Sequence, residues 1–127
     1  MAQTNENQRY VSFTMTIPSG AAISDYAKLY GYSAGHVYVP PGITVGTGTG
    51  TSAGYVEWMV KLEDKVGLLR LVAADPAVSA LTMAHKEGIY MLPDQLFNYH
   101  EFAFIVRSEA NGDINQTQAI TFTVFVR

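Results

Sequence analysis

Strict alternation of apolar and polar residues is the feature that most constrains how this chain can fold. Residues 11–17 read Val-Ser-Phe-Thr-Met-Thr-Ile, so every second side chain is apolar. A period of two places the apolar side chains on one face of a β-strand, whereas a helix would scatter them around its axis. Residues 56–62, 101–107 and 120–126 alternate in the same way. We therefore predict four strands, each with one face in a hydrophobic core.

Five shorter segments predict further strands, because each is apolar and is bounded by turn-forming Gly, Pro or Asp residues. They are residues 26–30, 36–39, 66–72, 79–83 and 88–92. A helix is an alternative for residues 75–84. About nine short strands separated by frequent turns predict an all-β fold, a single-domain antiparallel β-sandwich of jelly-roll type that spans residues 9–127.

The alternation also assigns a core and two turns. The side chains that we expect in the core are Val11, Phe13, Trp58, Val60, Leu62, Leu69, Leu71, Phe102, Phe104, Phe122 and Val124. Glu63-Asp64-Lys65 predicts a tight hairpin. Asn111-Gly112-Asp113 contains an Asn-Gly pair, which favours positive φ, and predicts a turn that folds the last two strands back on each other.

Length and composition limit the class of protein. The 127 residues fit one domain, and a hydrophobic share of 48% allows a core that is stable without disulfide bonds. The absence of cysteine excludes disulfides and thiolate metal sites. A net charge of -3 without a run of Lys or Arg gives no electrostatic footprint for nucleic acid or an anionic membrane. No apolar run is long enough for a membrane-spanning helix, so we expect a protein without a membrane partner.

Two segments fall outside the strand pattern. Residues 1–8 form a polar N-terminal arm without the apolar stretch of a signal peptide. Residues 40–54 form a long Gly/Thr-rich loop, and loops of this length are usually functional or disordered. Ordering a free segment costs about 1–2 kcal/mol per residue, so we expect both segments to order against a partner.

Tests for catalytic motifs find none that stands out. The Gly/Thr loop leads into a predicted strand at Tyr55, whereas a P-loop needs Lys and Ser or Thr after its last glycine and then a helix. There is no cysteine nucleophile and no Gly-x-Ser-x-Gly elbow. Glu57 and Glu101 could pair as glycosidase carboxylates, but we expect both to be solvated on the polar faces of their strands. The chain is therefore predicted not to be an enzyme.

The histidines are weak candidates for a metal site. His85 and Glu87 are the one pair close in sequence, and His100 is expected to be a hydrogen-bonded structural residue. A metal site needs several ligands clustered at defined spacing. Residues 111–115 resemble half of a calcium loop but lack the downstream acidic ligand. We predict neither a metal nor another cofactor.

Tyrosine is the remaining clue to the surface, because the chain has eight and only 15% of its residues are charged. A tyrosine ring buries a large area while its hydroxyl still finds a partner, which suits protein interfaces and sugar-binding faces alike. Tyrosines at the rim of the core are the alternative interpretation. The candidate interface residues are Tyr26, Tyr30, Tyr32, Thr47, Thr49, Thr51, Tyr55 and Tyr99.

Several segments resemble, in order, those of small virion proteins of tailed bacteriophages. The opening strand ends in Thr16-Ile17-Pro18-Ser19-Gly20, followed by Ser24-Asp25, by Leu29-Tyr30-Gly31 and by Val37-Tyr38-Val39-Pro40. Towards the end come Pro93 to Phe97, an aromatic strand from Phe102 to Arg107-Ser108, and Asn115-Gln116 before a final strand from Ala119 to Arg127. The Gly/Thr loop replaces the Trp-Thr segment that is usual in that group.

The resemblance implies a structural protein of a phage particle, made in the host cytoplasm and located in the virion. Within that class we expect a capsid decoration, or cement, protein that binds the major capsid protein or another virion protein as a dimer or trimer. The alternatives are another virion part, such as a head–tail or tail accessory protein, and a carbohydrate-binding module on a tail fibre.

Overall fold

The computed structural model describes residues 9–61, 69–70, 82–110 and 112–127. Two antiparallel sheets pack against each other, which confirms the all-β sandwich, while the described strand order does not establish jelly-roll connectivity. The described residues form short 3-10 helices at Gly50–Ser52 and Asp94–Asn98. The strands within these described ranges are β1 Val11–Ile17, β2 Ala27–Lys28, β3 Gly35–Val39, β4 Tyr55–Val60, β5 Leu69–Arg70, β6 Thr82–Met83, β7 Gly88–Met91, β8 Glu101–Ser108, β9 Gly112–Asp113 and β10 Ile120–Val126.

Sheet A contains four strands in the order β1-β10-β3-β7. β1 and β10 pair along their whole length, from Val11 opposite Val126 to Ile17 opposite Ile120. β3 pairs with β10 on one side and with β7 on the other. The outer strands of this sheet are therefore β1 and β7.

Sheet B contains β2-β8-β4-β5, with β6 also paired to β4 and β9 paired to β8. β4 and β8 form its centre, and Trp58 lies opposite Phe104 in their register. The burial of β8 is nearly continuous from Phe102 to Val106, so both faces of this strand are covered. A strand that is covered on both faces does not need a polar side, which explains its weak alternation.

The predicted core is largely confirmed. Trp58, Val60, Phe102, Phe104, Phe122 and Val124 are buried, and Phe13 packs against them while partly exposed. The prediction of a core position is wrong for Val11 and Leu69, which are 51% and 44% exposed. Val11 begins an outer strand and Leu69 lies in a two-residue outer strand, so each is covered from fewer sides. Leu62, Leu71 and the predicted hairpin at residues 63–65 lie outside the described residues.

The prediction for Asn111-Gly112-Asp113 was wrong about which strands it joins. Gly112 has a φ of 68°, but Gly112 and Asp113 form β9, which pairs back onto β8 at Ser108 and Arg107. β8 and β10 belong to different sheets. The Asn-Gly pair therefore correctly predicted a turn. It did not predict the sheet to which β10 belongs, because that depends on residues far away in the sequence.

Residues 20–28 close one side of the sandwich. Ser24 donates its backbone N–H to the Phe104 carbonyl at 2.9 Å, so the segment runs along the edge of β8. Its other side meets β1, because Thr16 donates its N–H to Asp25 Oδ1 at 2.7 Å and the Asp25 N–H donates to the Thr16 carbonyl at 3.2 Å. One segment thus covers an edge of each sheet.

Gln116 anchors the beginning of the Gly/Thr loop. Its Oε1 accepts the Thr44 N–H at 2.8 Å, and its Nε2 donates to the carbonyls of Thr44 and Ile114, both at 3.1 Å. Gln116 is 2% exposed, and Ile43 is also buried. The expectation that all of residues 40–54 would order only against a partner is therefore wrong for residues 43–44, which are held within the chain.

Candidate protein-interaction surface

The outer face of sheet A is formed by the strand side chains that point away from the core. Register places them in rows across the sheet, for example Thr14, Thr123, Tyr38 and Ile89. None of these strand residues is Asp, Glu, Lys or Arg. The members of the outer face are Ser12, Thr14, Thr16, His36, Tyr38, Ile89, Met91, Thr121, Thr123 and Phe125.

Aromatic rings line one end of this face. The His36 ring stacks on Phe125 with ring centroids 4.9 Å apart, and Tyr10 meets His36 edge-on at 4.8 Å. The Arg127 guanidinium lies 5.3 Å from the centroid of the Tyr10 ring, within the range of a cation–π contact. These contacts order large, partly apolar rings at the surface, and they place His36 in an aromatic setting rather than among metal ligands.

The most exposed apolar side chains of the outer face lie on β7. Ile89 is 61% exposed and Met91 is 72% exposed. We did not assign either residue to an interface from the sequence, although the signal was there. In residues 88–92, apolar side chains occupy both faces of a short strand, since Ile89 and Met91 alternate with Tyr90 and Leu92.

Tyr38 and Glu87 form a polar contact at the border of the same face. The Tyr38 hydroxyl donates a hydrogen bond to Glu87 Oε2. This hydrogen bond, assisted by desolvation and by the carboxylate charge, raises the pKa of Tyr38 above its ordinary value of 10.0. The phenol therefore stays neutral at physiological pH, and the bond is lost only as the pH rises beyond 10.

The predicted tyrosine set is divided between two ends of the molecule. Tyr30 and Tyr99 lie where β8 begins, because Leu29 donates its N–H to the His100 carbonyl and the Tyr30 ring meets that of His100 at 4.6 Å. Tyr55 lies opposite Arg107 near the other end of β8. The six steps of strand from Glu101 to Arg107 place these ends about 20 Å apart. The predicted residues therefore do not form one surface.

Exposure also separates the predicted tyrosines. Tyr26 and Tyr30 are each 57% exposed, as an interface residue of the free protein would be. Tyr32 and Tyr99 are partly buried and pack against the core, which fits the alternative that we gave for them. The interface role of all four stays a prediction.

The Gly/Thr loop borders a cleft of about 330 Å³. Tyr55 and His85 contribute rings with polar groups to its lining, and His85 Nδ1 lies 3.2 Å from the Gly54 carbonyl. Thr47 and Thr49 are exposed in the loop, and Thr51 belongs to the 3-10 helix that follows. The cleft is lined by Gly50, Gly54, Tyr55, Thr82, Met83, Ala84 and His85.

The residues considered as metal ligands contact separate partners. His85 contacts Gly54, whereas Glu87 binds Tyr38, so this pair does not converge on one point. His100 is exposed beside Tyr30 rather than buried with the strand that follows it. Within the described ranges, no group of three or more His, Asp or Glu side chains could hold a metal ion.

The expectation for Glu57 was wrong, since this carboxylate is buried rather than solvated. Glu57 is 2% exposed and lies 3.9 Å from Arg107 Nη1. Arg107 Nε in turn lies 2.9 Å from Asp113 Oδ1, and Asp113 is exposed. Glu101 pairs instead with Lys61 at 3.5 Å. Glu57 and Glu101 thus pair with different cations and do not face each other as a glycosidase pair would.

Comparison with protein-family models, with curated proteins and with solved structures found no match for this chain. Over the part of the chain that the structure describes, no helix is long and apolar enough to cross a membrane. The geometry of the outer face and of the cleft is therefore the basis for assigning a function.

Proposed function

We propose that this protein is a structural component of a bacteriophage particle, a capsid decoration protein that binds the head lattice through the outer face of sheet A. The observation that carries the proposal is the character of that face. Its strand residues include no formal charge, and they include two apolar side chains, Ile89 and Met91, that are more than half exposed. Depletion of charge with enrichment in aromatic residues and Met is typical of the centre of a protein interface.

The energetics favour a repetitive partner. Full burial of an Ile or Met side chain is worth about 1.5–3 kcal/mol relative to exposure, so a face with two such residues binds only weakly by itself. A lattice offers many identical sites, and linked weak contacts gain affinity because each one raises the effective concentration of the next. A capsid lattice therefore suits the outer face of sheet A, because many weak contacts through uncharged strand residues add up to stable binding.

The segments that carry the resemblance to phage virion proteins add support. Residues 16–20 end β1 and lead into the segment that closes the sandwich, and residues 115–116 contribute the Gln116 anchor before β10. These positions belong to the framework of the fold. The proposal accordingly assigns no catalytic role and no cofactor to the chain.

Sedimentation with purified capsids tests the proposal. Thr14→Glu places a charge on the outer face, in the row that contains Thr123, Tyr38 and Ile89, and we expect it to reduce the amount of protein that sediments with capsids at least tenfold. Ala110→Glu adds the same charge to an exposed turn and serves as the control. The capsids are assembled from the major capsid protein of the phage whose genome encodes this chain. Equal sedimentation of both variants would show that the outer face is not the attachment surface.

Sugar binding is the second candidate, because a tyrosine and a histidine line the same cleft. Tyr55 could stack on a sugar ring while His85 binds a hydroxyl. A glycan array with wild-type protein and Tyr55→Ala tests this role. Glycan binding that depends on Tyr55, together with no binding to capsids, would favour the carbohydrate-binding module over the decoration protein.

A further inference from the structure

The two outer strands of sheet A differ in how their edges are covered. Residues 20–28 cover the edge of β1 at its end, where Asp25 accepts the Thr16 N–H at 2.7 Å and donates its own N–H to the Thr16 carbonyl at 3.2 Å. β7 has β3 as its one neighbour within the described residues. An uncovered edge presents backbone donors and acceptors that can pair with another strand. Within the described residues, the outward edge of β7 is therefore uncovered.

Register shows which backbone groups of β7 point outwards. Leu92 donates its N–H to the Gly35 carbonyl at 3.0 Å, and the pairing of β3 with β7 places these two residues opposite each other. Backbone direction alternates along an antiparallel strand, so Tyr90 also faces β3. The N–H and C=O groups of Ile89 and Met91 consequently face the uncovered edge.

The usual protections of an outer strand are absent from β7. The strand reads Gly-Ile-Tyr-Met, without Pro, without Lys and without another charged residue. Natural sheets place such residues, or a bulge, on edges that must not pair. Here the edge is flanked by the two most exposed apolar side chains of the outer face, Ile89 and Met91.

We propose that the edge of β7 pairs with β7 of a second copy of this chain, forming a homodimer with a continuous eight-stranded sheet. In an antiparallel pair with the twofold axis at Tyr90, Ile89 of each copy lies opposite Met91 of the other. Each such pair exchanges two backbone hydrogen bonds, which makes four across the interface. The exposed apolar side chains of both copies then meet on one face, as expected for a self-complementary twofold interface.

Charge complementarity selects the second copy as the occupant and favours this register. Lys86 lies in the bend before β7, and Asp94 begins the 3-10 helix after it. Both residues are exposed and lie four residues from Tyr90, while Glu87 is bonded to Tyr38 of its own chain. The same twofold axis therefore places the end of β7 that carries Lys86 next to the end that carries Asp94 in the other copy, and symmetry repeats this at both ends of the paired strands. The inference concerns the free protein and does not rest on capsid binding.

Sedimentation equilibrium of the full chain over a range of concentrations tests the dimer. Met91→Pro removes an N–H that faces the open edge and leaves the bonds to β3 in place, so we expect a folded monomer. Circular dichroism checks that the β-sheet is retained. A monomeric wild-type protein at all concentrations, or a dimer unaffected by both this variant and the charge reversals below, would overturn the proposal.

Charge reversal provides the second variant set. Lys86→Asp or Asp94→Lys alone places like charges together, and we expect each to raise the dimer dissociation constant about three- to tenfold. The double variant Lys86→Asp with Asp94→Lys restores opposite charges and should return the constant to that of the wild type. Lys28→Asp changes an exposed lysine on β2 and should leave dimerisation unchanged. This outcome is measured without capsids, so it is independent of the attachment surface tested by Thr14→Glu.

Discussion

At the scale of single residues, Gln116 is a buried polar side chain that ties the start of the Gly/Thr loop to the segment before β10. Its carboxamide satisfies the Thr44 N–H and two carbonyl groups in a buried setting. A buried polar group that loses its partner retains its full desolvation penalty, about 1–3 kcal/mol for each group. The side chain therefore stabilises the start of the loop and the approach to β10 together.

Replacing Gln116 with Ala should lower the free energy of unfolding by about 3 kcal/mol, because three backbone groups lose their partner. Urea denaturation followed by tryptophan fluorescence measures the change. Gln118→Ala, at an exposed position two residues later, is the matched control and should change stability by less than about 0.5 kcal/mol. Equal effects of the two substitutions would contradict the anchoring role.

Trp58 contributes packing, but its indole N–H has no hydrogen-bond partner among the described residues. Trp58→Ala should destabilise the protein by about 3–5 kcal/mol through the cavity that it creates. Trp58→Phe keeps an aromatic ring against Phe104 and removes the unpaired donor, so we expect a loss of only about 1–2 kcal/mol. Thermal denaturation followed by circular dichroism compares the stability of the two variants. A similar loss of stability for both would contradict the idea that the unpaired indole N–H destabilises the wild-type protein.

Sequence reasoning at this scale succeeds where a residue sits in the middle of a strand and fails near edges. Trp58 and Phe122 alternate cleanly and are buried as predicted. Val11 alternates just as cleanly but begins an outer strand and is half exposed. Glu57 occupies a polar position in the alternation yet is buried, because the sheet is covered on both faces there. The alternation shows on which face of the sheet a side chain lies, but it does not show whether other residues cover that face.

At the scale of elements, the four long strands follow from the sequence, whereas their partners do not. β8 and β10 are the last two long strands, and a turn sequence lies between them, yet they belong to different sheets. The outer face of sheet A combines β1, β10, β3 and β7, which are distant in sequence. Its rows exist only once strand order is known, so the candidate surface could not be predicted from any one strand.

The Gly/Thr loop is an element whose two parts should respond differently to change. Residues 43–44 are held by Gln116, whereas Thr47 and Thr49 are exposed beyond that anchor. Replacing residues 46–51 with a two-residue turn should change the free energy of unfolding by less than about 1 kcal/mol, since shortening a flexible loop alters closure entropy only slightly. Urea denaturation measures this, and a loss comparable to that of Gln116→Ala would show that the exposed part also stabilises the domain.

At the scale of the whole molecule, the described residues cover one side of the sandwich and leave the edge of β7 on the other side without a neighbour. Residues 20–28 cover β1 and β8 together, while β7 and the apolar end of the outer face lie at the opposite edge of sheet A. The predicted tyrosines lie elsewhere, at two ends of sheet B. Composition therefore indicated that this protein meets others, whereas the place of contact required the strand order.

The pairing of β1 with β10 also determines when the molecule can fold. β10 lies between β1 and β3, so sheet A has no centre until residues 120–126 have left the ribosome. During synthesis of residues 18–119, β1 remains an apolar strand without its partner, although its sequence is already complete. Pairing between strands so distant along the chain is slow and leaves nascent chains open to aggregation. We therefore expect β1 to be the strand of sheet A that waits longest for its partner during synthesis, and the segment of the nascent chain most open to premature pairing.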